Sequence, residues 1–351
     1  MIDDDIKLAA AVAELNSTPW VALDTEADSL HAYPEKVCLI QISSPSGDLL
    51  IDPLGAINLT PLFKFLGEHE LIMHGADYDL RLLRKHHEFV PRAIFDTMLA
   101  SRLLGIAQFG LTHLVSQYLG VTLEKGSQKA DWAQRPLTER METYARNDTH
   151  YLKPLADRLA AELGAKGRLA WHQESCARLI ADCAQPKVPD PDLVWRIKGS
   201  NRLTRPAMAV LREIWHWREE EAIAADRPPF FILQHEALLD IAAAAAGDKP
   251  VEPLVPRRFP DRRKAGLARA IQEGLAVPAL KRPEPIKQVF RRISDATKRR
   301  ALELQKQRDA RATELGIDPT LIASRAVIMD LAESWDVHQG ELMNWQRELL
   351  K

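Results

Sequence analysis

Strand-like runs crowd into the first quarter of this 351-residue chain, and helical periodicity fills most of the remainder. WVALDTE, KVCLIQIS, DLLIDPL and ELIMHGA are short runs rich in Val, Ile and Leu, the pattern of buried strands. SSPSGD, between the second and third, has hairpin-loop chemistry, so the first three strands are expected to form an antiparallel meander. After MHG the spacing changes. ADYDLRLLRKHH sets Leu80 and Leu83 at helical intervals, and TMLASRLLG and LTHLVSQYLG read as short helices closed by glycine. A longer helical pattern runs from Leu137 to about residue 165 and contains Pro154, where a kink is expected. AQPKVPDPD holds three prolines in nine residues and reads as a linker, and beyond it almost everything is helical. These patterns predict an α/β N-terminal domain over residues 1–183, a linker over 184–200, and two helical domains over 201–280 and 281–351.

The N-terminus is acidic, without the basic-then-apolar layout of a signal peptide, and no apolar run approaches the ~18 residues of a membrane span. Cys38, Cys176 and Cys183 are too few and too scattered for a disulfide framework or a zinc site. A cytoplasmic protein that does not engage membranes is expected. The net charge of −2 conceals an asymmetry: residues 257–311 carry 17 Lys and Arg against 6 Asp and Glu, which suits a polyanionic partner.

The first strand raises a specific chemical question. Val21, Ala22 and Leu23 are followed by Asp24, Glu26 and Asp28, and alternate residues of a strand share a face. Carboxylates leaving an apolar strand have either reached solvent or share a cation, because desolvating them unpaired is costly. A D-x-E pair on one face can supply two oxygen ligands to a hard divalent cation. Asp77 and Asp79 open the helix after the fourth strand, where Asp is also a common first-turn residue, and spacing does not choose between them. In YARNDTHYL, Tyr144 and Asp148 lie at i and i+4 on one helical face, with Tyr151 packed beside them.

DTE, HGADYDLRLL and YARND, in this order, are similar to the three exonuclease motifs of the DEDD superfamily, and the tyrosine four residues before the last aspartate points to its DEDDy branch. The chain resembles the ribonuclease D family over roughly residues 15–240. VCLIQI, FDTMLASRLLG and GLTHLVSQYLGVTLEKGSQKADWAQRPL support the likeness, and LTRPAMAVLREIWHWREEEA resembles the helical HRDC module. The resemblance implies a ribonuclease H-like exonuclease fold, a mixed sheet flanked by helices, followed by an HRDC domain and a second, divergent HRDC-like domain. It selects Asp79 over Asp77 and implies Asp24, Glu26, Asp79 and Asp148 as ligands of two divalent cations, Mg²⁺ or Mn²⁺. Tyr144 would orient the attacking water, since a phenol with a pKa near ~10 is a poor general base.

Asp28 is read as the strand reaching solvent, and Asp96 as structural. His74, Lys125, Trp132 and Arg135 are candidate substrate contacts, although Trp132 is also suited to core packing and His74 to a structural hydrogen bond. Trp215 and Trp217 are expected to anchor a helical core. The implied activity is 3′→5′ trimming of RNA by a monomer, with tRNA precursors and other structured RNAs as substrates. A DNA exonuclease of the same superfamily and a catalytically silent RNA-binding protein are the competing readings.

Overall fold

The computed structural model describes residues 1–124, 126–186, 189–286 and 293–351. Lys125 therefore lies outside the described residues. The elements divide between two compact units. In the first, α1 (Asp5–Leu15) precedes β1 (Val21–Ala27), β2 (Val37–Ser44) and β3 (Gly47–Ile51). These are followed by α2 (Thr60–Glu68), β4 (Glu70–Met73), α3 (Asp77–His87), β5 (Ala93–Asp96) and α4 (Thr97–Leu103). Helices α5 (Leu111–Leu119), α6 (Glu139–His150), α7 (Leu152–Ala165) and α8 (Leu169–Ala184) complete this stretch.

The described sheet has the order β3-β2-β1-β4-β5, with β1, β2 and β3 antiparallel and β4 and β5 added in parallel. The expected meander is present, but local patterns predict four strands and the sheet has a fifth. Four residues, AIFD, are too short for a period to register, and β5 is defined by its parallel pairing with β4.

Alternation along β1 separates two cores. Val21 and Leu23 join Ile40, Ile42, Leu71 and Met73 beneath α1, α2, α3 and α8. On the opposite face, Leu39 and Leu50 pack with Met141 and Ala145 of α6, and Ala22 and Ile72 with Leu152 and Ala156 of α7. The expected kink at Pro154 falls three residues earlier, at Tyr151, which ends α6 and begins α7. Pro154 thereby sits in the first turn of α7, where a missing N–H breaks no helical bond.

Helices α9 (Arg205–Ala224), α10 (Pro229–Ile232), α11 (His235–Ala246) and α12 (Asp261–Ala276) form the second unit, together with the segment Asp28–Lys36. Trp217 is buried and Trp215 partly buried in its core, as expected. Tyr33 packs there too, donating its hydroxyl to Glu219 at 2.5 Å. Part of the basic stretch is neutralised within this unit, since Arg262 and Arg263 both donate to Glu221, at 2.8 and 3.0 Å.

The last helices, α13 (Asp295–Leu315), α14 (Pro319–Ile322), α15 (Arg325–Glu333), α16 (Trp335–His338) and α17 (Asn344–Leu350), belong to the first unit. They share a core with α4, α5 and α7. Buried Arg168 ties the two parts, donating to Leu103 O and to Leu315 O, each at 2.7 Å. Trp171 stacks on Trp345 at 4.9 Å, and Glu174 accepts the Asn344 N–H at 2.7 Å. Among the described residues no helix is long and apolar enough to cross a membrane.

Candidate active site

The C-terminal half of β1 is where the acidic groups meet. Asp24 and Glu26 project from the same face of the strand, and α6 lies across that face. Asp148, on α6, completes a group in which one oxygen from each of the three carboxylates lies within 4.8 Å of the others. Asp79 stands just outside this trio. It is buried at the start of α3, where its Oδ1 accepts the Thr25 hydroxyl at 2.5 Å. Asp77, two residues earlier, is exposed and paired with Arg81 at 2.9 Å.

The cost of this crowding shows in the protonation equilibria. Burial, then the charges of Asp79, Asp148 and Glu26, hold Asp24 well above the usual carboxylate range. Glu26 is pushed up to about 9 by desolvation and by Asp148 and Asp79. Asp148 rises to about 7, chiefly through desolvation, with the neighbouring Tyr144 hydroxyl moderating the rise. Asp79 rises to about 6, again through desolvation, with the Thr25 hydroxyl pulling the other way. Each residue of the trio remains partly open to solvent, yet loss of hydration is the dominant cause for all of them. Convergent carboxylates with no softer atom among them form a donor set for a hard divalent cation, whose charge would offset both the desolvation and the repulsion.

Tyr144 sits one turn before Asp148, and burial pushes its hydroxyl further above the ordinary phenol range. Its ring is backed by Trp132, 6.0 Å away and 1 % exposed, so Trp132 bears on the site by supporting Tyr144 from the core. The Gln128 side chain lies beside the Tyr144 hydroxyl, a neighbour that no motif or spacing singles out. Arg135 is held in a fork by Asp52, at 2.5 and 2.6 Å, and donates to the carbonyls of Cys38, Trp132 and Gln134. His74 places Nδ1 2.8 Å from the Thr97 hydroxyl.

Two aspartates outside the trio have structural positions. Asp28, expected at the solvent, is fully buried instead. The β1–β2 register shifts between Glu26 and Ala27, so the alternation stops before Asp28, whose Oδ1 accepts the Lys36 N–H at 2.7 Å. Asp96 accepts four backbone N–H groups: Gly75 and Ala76 at 3.1 and 2.9 Å, and Met98 and Leu99 at 2.8 and 3.1 Å. It caps α4 and fixes the turn that launches α3, and with it Asp79. Asp96→Ala strands these donors in the interior and should lower stability by about 3 kcal/mol or more, measured by chemical denaturation. A loss below about 1 kcal/mol would remove Asp96 as the clamp of this turn.

Comparison with known proteins extends the picture beyond the acidic cluster. A family model described as 3′-5′ exonuclease matches residues 1–164, and one described as HRDC domain matches residues 207–249. A ribonuclease D of Zymomonas mobilis is 36% identical over 248 residues, covering 69% of this chain and 63% of that protein, so the chain spans less than two thirds of this relative's length. A ribonuclease D of Pseudomonas paraeruginosa is 30% identical over 363 residues, covering 99% of this chain and 94% of its own length. The crystal structure of Escherichia coli RNase D, described as an exoribonuclease involved in structured RNA processing, superposes with a TM-score of 0.76 at 25% identity, covering 100% of this chain and 97% of that one. Because the similarity continues past the exonuclease region through the C-terminal helices, the chain belongs to the ribonuclease D family.

Proposed function

We propose that the chain is a metal-dependent 3′→5′ exoribonuclease that releases nucleoside 5′-monophosphates, trimming the 3′ ends of tRNA precursors and other small structured RNAs. The observation that carries this reading is the convergence of Asp24, Glu26 and Asp148 within 4.8 Å, with Tyr144 one turn away. Asp24, Glu26 and Asp148 would hold one Mg²⁺ or Mn²⁺, and Asp24 with Asp79 a second. Cations held there would supply Lewis-acid chemistry to a phosphodiester and its leaving oxygen. Tyr144 holds its proton throughout and orients the attacking water by a hydrogen bond, a role its upward-shifted hydroxyl suits better than proton abstraction. Trp132 keeps the Tyr144 ring in place. Lys125 is proposed as a phosphate contact, and His74 and Arg135 as residues bordering the substrate. The HRDC unit and the basic helices after it would bind RNA through backbone phosphates. We propose a cytoplasmic monomer; the three cysteines are buried free thiols, as a reducing compartment allows.

A fluorescent RNA with a single-stranded 3′ tail, its DNA equivalent, manganese and a chelator test this reading together. Stepwise shortening of the RNA alone from its 3′ end, lost on chelation, is the expected outcome. Equal shortening of the DNA would make the chain a DNA exonuclease of the same superfamily, and RNA bound but intact would make it a silent binding protein.

A further inference from the structure

Gln41 stands directly opposite Asp24 in the antiparallel β1–β2 pair, so the two side chains share the face that carries the acidic trio. It is 0 % exposed, and neither its Nε2 nor its Oε1 has a hydrogen-bond partner. Among the described residues no other buried side chain has two unpartnered polar atoms. An unpaired amide in the interior costs free energy that a leucine of similar size would avoid.

The neighbours on that face narrow what the amide can serve. Across β3 its partner is Leu50, and along β2 the flanking residues are Leu39 and Ser43. Leu39 and Leu50 offer nothing polar, and Ser43 Oγ is already 2.6 Å from Asp48 Oδ1 and 2.7 Å from Thr149 Oγ1. The remaining cross-strand neighbour is Asp24.

We infer that Gln41 is a positioning residue for the metal site: its Nε2–H donates to the Asp24 carboxylate when the site holds a cation. This rests on the divalent-cation reading of the trio. Partners that orient a ligating carboxylate typically change metal affinity by about 10–100-fold when removed. An amide is suited to the task because it adds no charge to an already crowded acidic site.

The test is Gln41→Leu, with Gln41→Met as a second variant of unbranched shape, followed by Mn²⁺ titration monitored by electron paramagnetic resonance and by melting without metal. The expected result is a Mn²⁺ half-saturation concentration raised about tenfold or more, with a metal-free Tm equal to or above that of the parent. Unchanged half-saturation overturns the inference. So does a metal-free Tm that falls by several degrees in both variants, which would assign the amide to the fold alone. If the parent binds no Mn²⁺ and behaves like Asp24→Asn, the cation reading fails and this inference falls with it.

Discussion

Asp148→Asn should reduce exonuclease turnover on the order of 10³-fold and, in the same protein, raise the melting temperature measured without metal. The first effect follows from removing one of three converging ligands, and the second from the energetics of the site. Asp148 has a folded pKa of about 7 because burial opposes its charge, and Glu26 and Asp79 stand at about 9 and about 6 for the same principal reason. In the unfolded chain these groups titrate near ~4. Between those limits the folded protein holds protons that the unfolded chain has released, so the contribution of these three groups to metal-free stability is fully present below about pH 4 and is lost as pH rises through about 6, 7 and 9. Asparagine has no charge to desolvate, and the decline should be shallower in the variant.

Metal reverses the trend, since cations bind the ionised carboxylates and displace their protons. The rise in Tm on adding Mn²⁺ should therefore be small at pH 5, larger at pH 8, and much reduced in Asp148→Asn. Melting curves at several pH values, with manganese and with chelator, read all of this. A variant that melts below the parent without metal, or a Tm difference between the two that does not widen as pH rises, would contradict the account.

What could be read from the sequence in this site was what lies close along the chain. Asp24 and Glu26 alternate on one strand, and Tyr144 and Asp148 are one helical turn apart, so each pair is visible as a spacing. The groups that support them are not. Thr25 reaches Asp79 across 54 positions, Asp96 reaches Gly75 across 21, and Asp52 occupies the Arg135 guanidinium across 83. Periodicity carries no information about such partners, because they are set by strand order and register. Asp28 shows the same limit from the other side: its spacing continued that of Asp24 and Glu26, but a register shift ended the alternation before it. Gln41 sits inside VCLIQIS as a polar residue in an apolar run, and only its pairing with Asp24 brings it to the site.

The fold was legible to a similar depth, since the meander and the long helices follow from local patterns while the last helices dock through contacts no pattern encodes. The sharpest of these is at Gly105, whose φ of +84° opens the segment between α4 and α5 and whose backbone lies against the Gly316 carbonyl. A Cβ at residue 105 would stand 1.8 Å from Gly316 O, a backbone atom with no rotamer to escape by. Gly105→Ala should therefore cost about 3–5 kcal/mol, combining the left-handed backbone penalty with displacement of the α13–α14 turn. Gly120→Ala separates those terms. Gly120 has a comparable φ of +69° but nothing within 4 Å of the added carbon, so it should lose only about 1 kcal/mol. Denaturant midpoints of the two variants, with limited proteolysis of residues 293–351, decide the matter. Equal losses would mean that the approach to Gly316 is not held in solution; a large loss at Gly105, with early cleavage of the last helices, is what a single shared core requires.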